Sequence, residues 1–373
     1  MTPTLTRAIP FFDYPRLFLD EEETLLAIVR DVGRRGAFIL QPDLERFEQN
    51  LAQFLGAKHS LGVGNATDGL IIALRASGIR KGDEVIFSSH TMVATASAIH
   101  FAGAVPIPVE CGPDHLIDPQ AVERAVTPRT RAILPTQLNG RTADMAALDA
   151  IARKHGLILV EDAAQALGSK FRGQSAGTFG AASAISFFPA KVLGCLGDGG
   201  AVVTNRDNIH DRMLELRDHG RRADGEIVSW GLNSRLDNLQ AAILDARLKK
   251  YETVIERRRA LARLYRSRLS PLEELKLPPG PDGDDEHFDI YQNYEIEAFQ
   301  RDELRAHLNE RGIGTLIQWG GKAVHQWEKL GFTERLPFTE KLFERMLLLP
   351  LNMSLTDEDV NLVCEAIYAF YRS

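Results

Sequence analysis

Lys191 lies in ISFFPAKVLGCLGDGGAVVT, five residues after Ser186 and just ahead of a glycine-rich turn, Gly194 to Gly200, that leads into a strand-like run. A lysine held among apolar strand residues loses ammonium solvation, which lowers its pKa and frees the amine for Schiff-base chemistry. The plain alternative is a solvated surface charge beside a loop. Earlier in the chain, in LILVEDAAQALGS, Asp162 and Gln165 follow an apolar strand. Ligands of an open parallel sheet collect beyond the carboxyl ends of its strands, which is where Asp162 would be presented. A carboxylate there can keep a pyridinium nitrogen protonated, as pyridoxal phosphate requires to act as an electron sink. Read as a helix N-cap, Asp162 would need no cofactor. A third group, Asn65, Ala66, Thr67 and Asp68 of GVGNATDGLIIAL, opens a helix. Free backbone N–H groups with a hydroxyl nearby make an anion site suited to phosphate, the alternative being ordinary N-capping by Thr67 or Asp68.

The elements that position these groups follow from the hydrophobic pattern. LDEEETLLAIVRDVGRRG (Leu19 to Gly36) and PDLERFEQNLAQFLG (Pro42 to Gly56) read as helices ending in glycine. Short β-branched runs then alternate with helix-like segments: DEVIFSS, AVPIPVE, TRAILPT and LILVED. That is βα repetition, hence a large, doubly wound, mostly parallel sheet with helices on both faces. ASAISFF and GAVVTN read as strands flanking a functional loop, and the segment from Asp245 to Leu269 reads as one long charged helix. PLEELKLPPGPDGDDEH reads as loop and marks a junction. Beyond it a strand, a helix and a closing amphipathic helix make a small C-terminal α/β domain. The expected division is 1–248 for an N-terminal arm and large domain and 249–373 for the small domain.

Composition bounds the possible functions. The 373 residues are 44% hydrophobic and 25% charged, an ordinary globular balance. With 44 Lys and Arg against 51 Asp and Glu, the net charge of −7 offers nucleic acid no general attraction. Cys111, Cys195 and Cys364 are odd in number and far apart, which fits neither a disulfide framework nor a metal site and points to a reducing cytoplasm. MTPTLTRAIPFFDYP lacks a signal pattern, and no apolar run reaches the ~20 residues of a membrane span, so a soluble, unprocessed protein is expected.

In their order and spacing, the three groups resemble the DegT/DnrJ type of pyridoxal-phosphate sugar aminotransferase, of fold type I, from about Gly36 to the C-terminus. The resemblance implies that Lys191 forms the Schiff base and moves protons, that Asp162 partners the pyridine nitrogen and that Gln165 neighbours the phenolic oxygen. Ala66, Thr67 and Ser186 match phosphate-binding positions. GLNSRLDNLQAA looks like the segment that reaches the other subunit's site in a homodimer. Asn233 would then contact the partner's phosphate and Arg235 a substrate carboxylate, unless Arg235 is a helix-end salt bridge. In SSHTMVATASAI, Met92 stands where the family usually stacks an aromatic residue on the ring, and its thioether can lie on a ring face; His90 is the alternative. TLIQWGGKAVHQW replaces a His-Tyr-Pro segment of the substrate pocket with Gln318, Trp319 and Gly320, and keeps His325. GDGG at Gly197 to Gly200 looks like members acting at C3 of a keto sugar. The implied reaction moves an amino group from L-glutamate to a nucleotide-linked keto sugar, with neither nucleic acid nor membrane as partner. The alternatives are a 4-keto or other keto sugar, a dehydratase of the same family, which carries histidine where Lys191 stands, and a cofactor-binding regulatory protein without turnover.

Overall fold

Seven short strands fold into a single sheet in the computed structural model, which describes residues 8–372; the first seven residues of the MTPTLTRAIPFFDYP stretch lie outside them. In chain order the strands are β1 (His59–Val63), β2 (Glu84–Ser88), β3 (Val105–Val109), β4 (Thr130–Leu134), β5 (Ile158–Asp162), a side hairpin of β6 (Lys170–Phe171) and β7 (Gln174–Ser175), then β8 (Ala182–Ser186) and β9 (Gly200–Thr204). The large sheet runs β1-β9-β8-β5-β4-β2-β3, and only β9 opposes the common direction. Both faces are covered, so the strands are apolar on both sides. Val85, Phe87, Ala132, Leu134 and Val202 pack with helices Ala66–Ala76, Val93–Phe101 and Asp207–Arg217. The alternate residues point the other way: Ile86 and Ile133 toward helices Pro119–Ala125 and Met145–His155, and Ala201 and Val203 toward helices Pro42–Leu55 and Asn238–Leu248.

A second core lies in the C-terminal part. Strands β10 (Leu275–Lys276), β12 (Tyr294–Ala298) and β13 (Met346–Leu349) form an antiparallel sheet, while β11 (His287–Phe288) pairs with β6. Helices Arg301–Glu310 and Asp357–Tyr371 and the second half of helix Tyr251–Leu269 pack on it. Ile9 is stitched to this layer, exchanging backbone hydrogen bonds of 2.8 Å with Gly312 and Gly314. The single helix expected from Asp245 to Leu269 is in fact two, broken at Lys249 and Lys250, where Lys250 leaves helical geometry. The break lets Tyr251 turn inward, where its hydroxyl donates to the Leu167 carbonyl at 2.8 Å. Among the described residues no helix is long and apolar enough to cross a membrane.

Candidate active site

The carboxyl ends of β1, β2, β4, β5 and β8 lie on one side of the sheet, and the residues at or just after them line a cavity of about 350 Å³. Its floor is the start of helix Ala66–Ala76. Asn65, rather than Thr67 or Asp68, is the cap: its Oδ1 accepts from the Asp68 N–H at 2.9 Å. The first two helical N–H groups, of Ala66 and Thr67, have no intrahelical partner and sit at the cavity with the hydroxyls of Thr67 and Ser186. Gly200 permits this approach, since a Cβ there would lie 2.7 Å from the Asn65 carbonyl carbon and 2.8 Å from the Ala66 nitrogen.

Asp162 ends β5, is 4% exposed, and is followed by a turn and no helix, so it caps nothing. Its Oδ1 accepts from the Ala164 N–H at 3.1 Å and its Oδ2 from Thr95 Oγ1 at 2.7 Å. Thr95 in turn lies 2.9 Å from Thr91 Oγ1, which lies 2.8 Å from Thr136 Oγ1. Each hydroxyl has one proton, so with Thr95 donating to Asp162 the direction is set: Thr136 donates to Thr91 and Thr91 to Thr95. Burial raises the Asp162 carboxyl pKa, opposed by Thr95, Ala164 and the charge of Lys191.

Lys191 reaches the same cavity half-buried. Burial pushes its amine down to about 8, against the pull of Asp162. Gln292 brackets the backbone on either side of it, accepting from the Val192 N–H at 3.0 Å and donating to the Ala190 carbonyl at 2.9 Å. Gln165 Oε1 accepts from the Asn139 N–H at 2.9 Å. These residues fit pyridoxal phosphate: unclaimed N–H groups for a phosphate, a buried carboxylate, and an amine of lowered pKa.

Residues 19–368 match the model of the DegT/DnrJ/EryC1/StrS aminotransferase family. The chain belongs to this family. It is 40% identical over 370 residues to the pleiotropic regulatory protein of Geobacillus stearothermophilus, covering 98% of this chain and 99% of that one. It is 44% identical over 319 residues to the dTDP-3-amino-3,4,6-trideoxy-alpha-D-glucose transaminase of Streptomyces venezuelae, covering 84% and 82%. The crystal structure of S. venezuelae DesV in complex with a ketimine intermediate superposes with a TM-score of 0.94 at 39% identity, over 99% of this chain and 100% of that one. The architecture is therefore that of a pyridoxal-phosphate aminotransferase: a large doubly wound sheet with a smaller C-terminal α/β layer.

Of the remaining positions that the resemblance to DegT/DnrJ/EryC1/StrS aminotransferases singles out, Met92 lies on the cavity wall, 47% exposed. His90 does not; it is buried, with Nδ1 3.0 Å from the His115 carbonyl oxygen and its ring edge-on to Trp319 and Phe343. His325 also departs from the substrate-binding role expected of it. Its Nδ1 lies 2.7 Å from Ser89 Oγ and its Nε2 3.3 Å from Glu340, so both ring nitrogens are occupied and the side chain ties a loop to the end of β2. Asn233 is exposed and Arg235 half-buried, and neither lines its own chain's cavity. Arg235 Nη1 donates to Asp218 Oδ1 at 2.9 Å, just beyond a helix end. The hydroxyl row Thr91, Thr95 and Thr136 and the bracket Gln292 are additions from the structure. Only the i, i+4 spacing of Thr91 and Thr95 could have hinted at them.

Proposed function

We propose that this chain is a pyridoxal-phosphate-dependent aminotransferase that moves an amino group from L-glutamate to the 3-keto group of a nucleotide-linked sugar, in amino-sugar biosynthesis in the cytoplasm. The convergence of Lys191, Asp162 and the open helix start at Ala66 and Thr67 on one cavity carries the reading. Bound pyridoxal phosphate supplies the electron sink and carries the amino group between the two half reactions. Everything else falls to this chain's side chains. Ala66 and Thr67 N–H groups, with Thr67 and Ser186 hydroxyls, bind the phosphate. Asp162, oriented by Thr95 and the Ala164 N–H, holds the proton on the ring nitrogen. Met92 walls one ring face. Lys191 Nζ, partly unprotonated at neutral pH, is the nucleophile and afterwards the base and acid that moves a proton at the substrate carbon.

The sugar nucleotide extends over Met92 into an adjoining apolar recess of about 360 Å³, lined by Thr91, Met92, Trp319 and Trp327. Asn233 and Arg235 serve the site of a second copy in a homodimer. The 3-keto preference is supported by the GDGG turn and by the 3-amino product named for the Streptomyces transaminase. The deciding experiment adds glutamate to the cofactor-loaded protein and follows the visible band of the lysine-bound cofactor, then supplies 3-keto and 4-keto nucleotide sugars. Glutamate should bleach the band and a 3-keto sugar restore it. A band indifferent to glutamate would instead assign the protein a regulatory role without turnover.

A further inference from the structure

Gln165 is held by a group that itself sits in a costly conformation. Asn139 adopts φ +53°, ψ 18°, in the turn after β4, a left-handed geometry that asparagine tolerates better than most side chains. The next residue, Gly140, has φ +89°, and a Cβ there would lie 2.5 Å from the Gln292 nitrogen. Three side-chain ties hold Asn139, besides the Asn293 N–H that its backbone carbonyl accepts at 3.4 Å. Its Oδ1 accepts from Asn293 Nδ2 at 2.8 Å and from Gln318 Nε2 at 2.9 Å, and its Nδ2 donates to Glu295 Oε2. Glu295 is 3% exposed and lies 2.9 Å from His115 Nδ1, whose Nε2 lies 3.0 Å from Glu297. Against its own burial, His115 is lifted to about 9 by these two carboxylates, so it is an imidazolium at neutral pH. Against its burial, the Glu295 carboxyl is held below its ordinary pKa by His90, whose Nε2 lies 3.6 Å away, together with His115 and the Asn139 amide. The network ends on a backbone N–H, which can only donate. The Gln165 atom it meets at 2.9 Å must therefore be the amide oxygen, and the amide NH2 is left to face the cavity.

We propose that Asn139 is a positioning residue for the cofactor ring: pinned by Asn293, Gln318 and Glu295, its N–H orients Gln165 so that the glutamine NH2 donates to the cofactor's phenolic oxygen. This rests on the pyridoxal-phosphate reading above. A hydrogen bond donated to that oxygen disperses its negative charge and weakens the hold of the neighbouring lysine-linked nitrogen on its proton. Losing the orientation therefore raises the midpoint at which the visible band titrates.

The test compares cofactor-loaded wild type with Gln165→Leu, Asn139→Gly and Gln318→Leu, by pH titration of the visible band alongside cofactor affinity and circular dichroism. Asp162, Lys191 and Asp198, the ionisable groups on the cavity wall, are the same in all four. Gln165→Leu sets the full shift. Asn139→Gly keeps the N–H, the carbonyl bond to the Asn293 N–H and a tolerated backbone conformation while cutting all three side-chain ties, and should raise the midpoint by about half a pH unit or more, roughly threefold in proton affinity. Gln318→Leu cuts one tie and should move it less, in the same direction, and carries the test if Asn139→Gly does not fold. A wild-type midpoint in Asn139→Gly, or in Gln318→Leu where it alone folds, beside a shifted Gln165→Leu, overturns the positioning role. An unshifted Gln165→Leu overturns the contact with the phenolic oxygen. Wild type that forms no borohydride-reducible link to pyridoxal phosphate would overturn the cofactor reading itself, a separate result.

Discussion

Lys191 makes no side-chain hydrogen bond or ion pair with the described residues, and it shares a half-closed cavity with the buried carboxylate of Asp162. Desolvation outweighs that attraction, which is why its amine falls to about 8 from the ordinary 10.5. Only the unprotonated amine adds to an aldehyde, so the rate at which cofactor-free protein captures pyridoxal phosphate should rise with pH up to about 8 and level off above it. Stopped-flow absorbance over a pH series checks this, and a rate still climbing toward 10.5 would return Lys191 to the status of a solvated surface charge. Asp162→Asn tests the other half of the pair. Asparagine keeps one oxygen, which can accept from the Ala164 N–H or from Thr95 but not from both, and carries no charge to hold a proton on the ring nitrogen. Cofactor retention should stay within a few fold while turnover of glutamate falls by at least about 100-fold, roughly 2.7 kcal/mol of barrier. Near-normal turnover in single-turnover assays with glutamate would reassign Asp162 to holding the turn at Ala164.

The elements bring these groups together because the strands share a direction. Alternation of apolar runs and helical segments made β2 to β5, β8 and β9 legible in the sequence, and with them the strand-end placement of Asp162 and Ser186, while the Ala66–Thr67 helix start was read from its own residues. Periodicity reports which face a residue is on, but not which hydroxyl meets which carboxylate. The Thr95 to Asp162 bond joins residues on different elements and was invisible for that reason, as were the Gln292 bracket and the Asn139 ties. Two neighbouring lysines concealed the break before Tyr251, since charged residues carry no phase. His325 resembled a substrate ligand in type and place, yet Ser89 and Glu340 occupy it. One element-scale contact is open to direct test. Gly200→Ala would drive a methyl into the Asn65–Ala66 peptide at 2.7 to 2.8 Å, backbone that cannot swing away like a side chain. The helix start must shift, and pyridoxal phosphate should bind about tenfold more weakly, roughly 1.4 kcal/mol, with pyridoxal lacking the phosphate little affected. Equal losses for both ligands by equilibrium titration would place the damage elsewhere than the phosphate cradle.

At the scale of the whole molecule the unexplained feature is the segment leading into GLNSRLDNLQAA. Trp230 is 95% exposed and Ile227 64% exposed, a cost in water unless another surface covers them. Asn233 and Arg235 follow directly, outside their own chain's cavity, and a two-fold interface would deliver both to the cavity of a second copy while burying Trp230. Mixing two inactive proteins tests this geometry. Lys191→Ala lacks the amine, and the double variant Asn233→Ala, Arg235→Ala lacks the residues offered to the neighbour. In a mixed dimer one site has neither contribution, while the other combines an intact Lys191 from one subunit with intact Asn233 and Arg235 from its partner. Random exchange of equal amounts makes half the dimers mixed, so activity should recover to about a quarter of the wild-type value. Exchange is verified independently by pulling down one tagged variant and detecting the other. Background activity after verified exchange would mean that Asn233 and Arg235 serve their own chain, Arg235 remaining the helix-end partner of Asp218; a fully active monomer at assay concentration would lead to the same conclusion.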